Sequence, residues 1–247
     1  MKETEPPVRI QPMQQSDIEQ AMHLKNIEGW NQTKKDWEVL LRLSPKTCRA
    51  AVRGRQVIGT VTAITYSNEL AWIGMMLVAE KYRRKGIGSL LVKDNIKRLK
   101  GFRNIKLDAT PDGRNLYTRL GFEEECTLSR MAISSLAEQK ITDSGKVTPL
   151  SPHDIQEIAY LDKAVFGADR THLMAPILGT YPHRAWKLER DGRITAYCLG
   201  RDGIKQNQIG PVIASTDQDA QTILSAAMSP LAGQPVVMTF LRTRKNS

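Results

Sequence analysis

Apolar positions along this 247-residue chain fall into short alternating or continuous runs separated by stretches at helical spacing, the pattern of interleaved strands and helices. Trp72 to Val78 is a continuous apolar run of strand length. From Ile87 to Leu99 the apolar residues recur every three or four positions, so a strand feeds a helix through a short turn. Upstream, Val8 to Met13 reads as a first strand, Ser16 or Asp17 as the N-cap of a helix through Leu24, and Lys34 to Leu43 as a second helix stopped near Pro45. Arg49 to Arg53 and Val57 to Tyr66 flank Gly54 as an antiparallel pair, and Ser67–Asn68 turns the chain into the apolar run. Downstream come a strand from Ile105 to Thr110 and a helix that carries Tyr117 and ends at Gly121–Phe122. This order predicts an α/β (α+β) fold: a mixed, mostly antiparallel central sheet with helices on both faces.

The turn between the central strand and its helix reads EKYRRKGIGS, with Arg83, Gly86 and Gly88 standing as R-x-x-G-x-G. Glycine leaves the backbone open to close approach, and the free amides of a helix N-terminus attract anions. Lys81, Arg83, Arg84 and Lys85 set four cations beside those amides, and a diphosphate would use both features. A glycine turn with a solvated basic face is the ordinary reading of such a stretch, so a second element has to decide.

That element is LYTRLGFEE, from Leu116 to Glu124. An apolar strand, R-x-x-G-x-G at a helix start, a further strand, and a helix with Tyr ending in Gly-Phe together resemble the GNAT superfamily of acetyl-CoA-dependent acyltransferases, over about Val8 to Ser134. The resemblance implies acetyl-CoA as cosubstrate, with Arg83, Arg84, Lys85, Gly86, Ile87, Gly88 and Ser89 around its diphosphate. It implies a central strand splayed from its neighbour, with the backbone of Met76, Leu77 and Val78 bonding the pantetheine. It makes Tyr117 the donor of a proton to the departing thiolate. One departure is that the Asn many members place shortly before this Tyr is absent, and Thr110 stands about there. In such a fold the loop Gly29–Gln32 overhangs the acceptor side, which makes Trp30 and Asn31 candidate substrate contacts. A loop Trp serves equally well to anchor its flanking helices.

Attack of a neutral amine on a thioester needs a nitrogen lone pair, a polarised carbonyl and a proton for the thiolate. Backbone amides near Leu77 and Val78 would polarise the carbonyl. Tyr117, with an ordinary pKa near 10, stays protonated at pH 7. Glu28 on the acceptor loop and Asp108 at the end of a central strand are the candidate bases, and a chain of waters could replace both. The expected activity is acetyl transfer from acetyl-CoA to a primary amine, whether of a polyamine, an aminoglycoside, an amino acid or a protein. The alternatives are a CoA-binding regulatory protein of the same fold that does not turn over, and a basic nucleic-acid-binding protein.

After Ser134 the polar stretch AEQKITDSGK reads as a linker, and the chain beyond it repeats the pattern of its beginning. QPMQQSDIEQAMHL aligns with TPLSPHDIQEIAYL, so that Pro12 meets Pro149, Asp17 meets Asp154 and Ile18 meets Ile155. At the same offset Arg53 meets Arg190, and one residue of slip later IGMMLVA meets IGPVIA. In this register Arg83 falls on Asp219 and the two loop glycines on Thr222 and Leu224. The turn TDQDAQT would then repel a diphosphate, and the equivalent of Tyr117 would lie beyond Ser247. The expected organisation is a catalytic domain over 1–136, a linker over 137–146 and a degenerate second copy over 147–247 without its own cofactor site.

Composition narrows the field. With 40% hydrophobic and 25% charged residues the chain is an ordinary globular protein. It has no apolar run of about 18 residues, and MKETEPPVR lacks the apolar region of a signal peptide, so a cytoplasmic protein without membrane contact is expected. Cys48, Cys126 and Cys198 are far apart and in no C-x-x-C arrangement, so they suggest neither disulfides nor a metal site and read as buried or incidental thiols. A net charge of +10 invites nucleic acid. The basic residues concentrate at Lys81–Lys100, however, and 6% aromatics offer few stacking platforms. The expected partners are therefore acetyl-CoA and an amine acceptor, with no nucleic acid, in a monomer or homodimer.

Overall fold

In the computed structural model, which describes residues 6–138 and 146–242, the alternating runs of the first half pair into one sheet. Its elements are β1 (Val8–Pro12), α1 (Ile18–Ile27), α2 (Lys34–Leu43), β2 (Arg49–Arg53), β3 (Gln56–Tyr66), β4 (Leu70–Val78), α3 (Ile87–Arg98), β5 (Asn104–Leu107) and α4 (Pro111–Arg119). The strand order is β1-β2-β3-β4-β5, antiparallel throughout except for the parallel β4–β5 pair. Period-two alternation divides sequence neighbours between two cores. Ala50 and Val57 join Trp37, Leu41, Met75 and Leu77 under α1 and α2, whereas Ala51 and Ile58 join Ile73, Leu91, Val92 and Tyr117 under α3 and α4. Helices thus cover both faces, as expected.

Local capping fixes where the helices begin. A 3₁₀ turn, Gln15–Asp17, leads into α1, and the Asp17 carboxylate reaches back to accept from the Gln14 amide at 2.8 Å rather than capping forward. Thr33 caps α2 in a reciprocal box with Asp36: each backbone amide donates to the other's side chain, at 2.7 and 3.3 Å.

The strand β6 (Thr127–Ile133) opens the second half, which then repeats this plan with β7 (Lys146–Pro149), α5 (Ile155–Phe166), α6 (Thr171–Thr180), β8 (Ala185–Arg190), β9 (Arg193–Arg201), β10 (Asn207–Ala214), α7 (Asp217–Met228) and β11 (Val236–Arg242). The strands run β7-β8-β9-β10-β11, and the last pair is again the parallel one. Even the entry to the first helix recurs, with the Ser151 amide donating to Asp154 at 2.7 Å.

Two expectations from the sequence are corrected by this arrangement. β6, expected in the first domain, pairs antiparallel with β11 from Thr127↔Arg242 to Ile133↔Val236. The chain therefore divides into units Met1–Glu125 and Cys126–Ser247 rather than at 136/137. Polar punctuation marks a flexible composition, but a strand's partner is set by long-range pairing that the local sequence does not reveal. Of the expected 137–146 linker, residues 139–145 lie outside the described residues, and Lys146 already pairs with Glu189 in β7.

The register drawn through TDQDAQT also fails. Residues 79–86 separate β4 from α3, but only residues 215–216 separate β10 from α7. The loop is deleted rather than mutated. Asp219 lies in the first turn of α7, and Thr222 and Leu224 lie inside the helix. Thr216 Oγ1 accepts from the Asp219 amide at 3.1 Å, and the Asp219 carboxylate pairs with Arg190 Nε at 2.6 Å, so this helix start carries its own cap and counter-charge.

The thiols differ in their surroundings. Cys48 and Cys198 are buried, and burial pushes each up to about 12, whereas Cys126 is exposed. Since the thiolate is the nucleophile, a disulfide reagent at neutral pH is expected to titrate one thiol per native chain and three after unfolding. Rapid reaction of all three in the native protein would contradict the placement of Cys48 and Cys198.

Candidate functional site

The site starts from a defect in β4. Along β3 the partners step from Thr60↔Leu77 to Thr62↔Gly74, so β4 carries one extra residue there, and Met75 takes φ 48°. Thr60 Oγ1 donates to the Met75 carbonyl at 2.8 Å and holds the bulge. Gly59 allows the close approach: a Cβ there would stand 2.8 Å from the Leu77 carbonyl oxygen and 3.1 Å from Leu91 Cδ1. Gly59→Ala is accordingly expected to cost about 1–3 kcal/mol, because a backbone carbonyl cannot yield as a side chain does. An unchanged melting temperature would refute that.

On its other side β4 pairs with β5 only from Leu70↔Asn104 to Ile73↔Leu107. Gly74 to Val78 run on past the end of β5, so among the described residues this length of β4, which includes Met76, Leu77 and Val78, has no strand beside it there. An extended ligand can pair with such a backbone edge.

β4 then delivers the chain to α3. Arg84 and Gly86 take φ 60° and 82°, and Gly86 is the N-cap of a twelve-residue helix. Among the described residues no side chain caps α3, and its first turn holds no acid. The first-turn amides, at Ile87, Gly88 and Ser89, are therefore available to an anion, which the helix dipole also favours. The two glycines have different reasons. Gly86 is required by its left-handed φ, and nothing stands within 4 Å of a Cβ there. Gly88 is required by packing, since its Cβ would meet Leu116 Cδ2 at 3.3 Å and Met76 Sδ at 3.7 Å.

Arg83 is placed differently from the expectation. Its Nε donates to the Val78 carbonyl at 3.0 Å, and its guanidinium pairs with Glu28 at the C-terminal end of α1. Glu28 is thereby committed to an ion pair instead of standing as a bare base. Asp108 follows β5, which is an edge strand of its sheet and not a central one. Both corrections follow from pairings that no local pattern encodes. The α1–α2 loop is held from beneath by the fully buried Lys25, whose ammonium donates to the Trp30 carbonyl at 3.0 Å. Trp30 packs partly buried against the α1/α2 core, and Asn31 beside it is half-buried.

Tyr117 lies on α4, whose N-cap is Thr110, accepting from the Gly113 amide at 3.3 Å. The ring is buried edge-on to Phe122, with centroids 6.0 Å apart, and a Cβ at Gly113 would stand 3.0 Å from Tyr117 Cε2. The Gly-Phe that follows and the Gly that precedes thus both shape this tyrosine's seat. Burial pushes its hydroxyl up to about 12. It is protonated at neutral pH. A phenol held protonated in the fold contributes stability that is fully present below its ordinary value near 10 and lost as pH rises toward 12. Among the described residues, no group of three or more His, Cys, Asp or Glu is placed to hold a metal ion, and no helix is long and apolar enough to cross a membrane.

Residues 45–124, which run through the bulge, the basic loop and Tyr117, match a family model described as "Acetyltransferase (GNAT) domain", and residues 158–247 match another of the same description. The two matches together cover more than half of the chain. This protein belongs to the GNAT acetyltransferases. Among its relatives, an uncharacterized N-acetyltransferase of Bacillus subtilis, YitH, is 27% identical over 159 residues, covering 64% of this chain and 56% of the relative. A holothin acyltransferase of a Pseudoalteromonas species is 24% identical over 147 residues, covering 60% and 49%. The chain thus spans about half the length of the curated relatives it matches. In fold it is similar to a crystal structure from Pyrococcus horikoshii assigned to the acetyltransferases, with TM-score 0.76, 24% identity, and 93% of this chain and 79% of that one covered. It is also similar to a GCN5-related N-acetyltransferase from Sphaerobacter thermophilus, with TM-score 0.70, 12% identity, and 99% and 90% covered. Both likenesses extend over the two units of this chain.

Sequence reasoning missed Gly59 and Thr60, which set the bulge. A glycine inside an otherwise β-branched strand was the available signal.

Proposed function

We propose that this GNAT protein transfers an acetyl group from acetyl-CoA to a primary amine by direct attack on the thioester. The observation that carries the proposal is the unpaired length of β4 running straight into the uncapped N-terminus of α3. The names of the two curated relatives, an N-acetyltransferase and an acyltransferase, agree with it. In this reading the backbone of Met76, Leu77 and Val78 takes the pantetheine as an added strand and polarises the thioester carbonyl. The amides of Ile87, Gly88 and Ser89, with Gly86, Arg84 and Lys85 beside them, take the diphosphate. Arg83 orders the junction by bonding the Val78 carbonyl.

The amine nitrogen attacks the carbonyl carbon, the carbon–sulfur bond breaks, and the Tyr117 hydroxyl gives its proton to the thiolate. The proton lost by the amine goes to water, since Glu28 is occupied by Arg83, and water returns a proton to the Tyr117 oxygen for the next turnover. Trp30 and Asn31 on the α1–α2 loop contact the acceptor. The second unit contributes no cosubstrate site of its own.

Release of free CoA thiol from acetyl-CoA, measured with polyamines, aminoglycosides, amino acids and peptide amines in turn, tests the proposal. Release that depends on one class of amine is expected. Binding of acetyl-CoA without release for any amine would favour a regulatory CoA-binding protein instead.

A further inference from the structure

Among the described residues, four side chains shield a polar atom that has no hydrogen-bond partner: Gln32 at Oε1, Trp37 at Nε1, Asn95 at both Oδ1 and Nδ2, and Thr195 at Oγ1. Trp37 and Asn95 are wholly buried, and Thr195 lies on β9 inside the second sheet. Gln32 alone of the four is a half-buried side chain on a loop, the one between α1 and α2. A shielded oxygen without a donor is a cost that folded chains rarely carry. The backbone on either side of it is fixed. The fully buried Lys25 donates to the Trp30 carbonyl at 3.0 Å, the Trp30 amide donates to the Lys25 carbonyl at 3.1 Å, and the Thr33 amide donates to Asp36 Oδ2 at 2.7 Å. Gln32 is therefore presented by a preorganised loop.

The second unit has the same loop with its oxygen satisfied. The offset that sets Ile18 on Ile155 and Lys34 on Thr171, the first residues of the paired helices, sets Lys25 on Asp162 and Gln32 on Asp169. Asp162 is again a fully buried charge, and it holds Arg170 Nε at 2.9 Å. Asp169 Oδ1, however, accepts from the Thr171 amide at 2.8 Å and from the Thr171 hydroxyl at 2.6 Å. Both loops are tied down by a buried charge, but the first leaves its oxygen without a donor.

We propose that Gln32 recognises the acceptor, its Oε1 taking one N–H of the incoming neutral primary amine. The inference rests on the acetyl-transfer reading and deepens it. A primary amine has two N–H groups and one lone pair, so one N–H binds the oxygen while the lone pair stays free to attack the thioester. A neutral oxygen also suits this task, because a carboxylate would favour the ammonium form, which has no lone pair.

Steady-state release of CoA thiol from acetyl-CoA by the intact chain, with spermidine, kanamycin, glycinamide and trialanine as probe amines, provides the test together with melting temperatures. The proteins compared are the wild type, Gln32→Met, Gln32→Glu and Asp169→Asn. For the amine that the wild type uses, Gln32→Met should raise KM about three- to tenfold, the worth of one neutral hydrogen bond. Its affinity for acetyl-CoA should hold, and its melting temperature should equal or exceed the wild-type value, because an oxygen without a donor has been removed. Gln32→Glu keeps an oxygen and should bind the amine at least as well as the wild type. Asp169→Asn, at the equivalent place in the second unit, should leave the amine kinetics unchanged. A wild-type amine KM in Gln32→Met would overturn the proposal and leave acetyl transfer standing. A lowered melting temperature in that variant would also overturn it, by showing that the carboxamide is paired inside the protein. Thiol release that responds to none of the four amines would remove the transfer reading and this inference with it.

Discussion

Replacing Tyr117 by Phe is expected to lower kcat by about a hundred- to ten-thousand-fold, the range that general acid catalysis supplies, while the affinity for acetyl-CoA stays at the wild-type value. The substitution keeps the ring, its edge-on contact with Phe122 and its seat against Gly113, and removes only the hydroxyl. Because burial holds that hydroxyl's pKa up to about 12, the group carries its proton through the neutral and mildly alkaline range. A fall in wild-type rate centred below pH 10 would therefore arise from another group. A purely structural Tyr117 gives the opposite pair of results: a stability loss of about 1 kcal/mol with turnover nearly intact. Measuring kcat and melting temperature on the same variant separates the two roles.

The second large effect is expected at Gly86. A Cβ there meets no atom within 4 Å, so space is not the first obstacle, but φ 82° is a conformation that a β-branched residue scarcely adopts. The loop then either bears about 1–2 kcal/mol of backbone strain or swings to negative φ and turns the amides of Ile87, Gly88 and Ser89 away from their common direction. Acetyl-CoA affinity should fall at least about tenfold in a protein that remains folded. Gly88→Ala makes the useful contrast. Its methyl would press on Leu116 and Met76, whose side chains can shift, so a modest loss of stability is expected with affinity largely kept. Unchanged acetyl-CoA binding in folded Gly86→Val would show that the anion does not sit on those amides.

Much of this arrangement is legible in the sequence because its signals are local. The run from Trp72 to Val78, the R-x-x-G-x-G turn and the helical spacing after Ile87 fix β4, the basic loop and α3 within a few residues. The repeat of QPMQQSD in TPLSPHD likewise foretells two copies of one strand order. What escapes is everything decided by pairing at a distance. β6 looks like the end of the first copy but is captured by β11 in the second sheet. The deletion between β10 and α7 is hidden because an ungapped register carries straight through it. Arg83 reads as a phosphate ligand in sequence, yet its charge meets Glu28 from another helix, and Gly88 proves to be a packing glycine. The bulge at Met75 was legible only in part, since Gly59 and Thr60 build it from the neighbouring strand.

The central claim is that the first unit, and not its copy, holds the cosubstrate. The first unit presents an uncapped helix start behind a basic loop. The second closes the same position with Thr216, Asp219 and Arg190, and at the bulge it has Gly210–Pro211, where proline offers no backbone donor. Calorimetric titration of the intact chain with acetyl-CoA tests this most directly. One site per chain is the predicted result, abolished or strongly weakened by Gly86→Val; two equivalent sites, or a single site indifferent to Gly86, would contradict it.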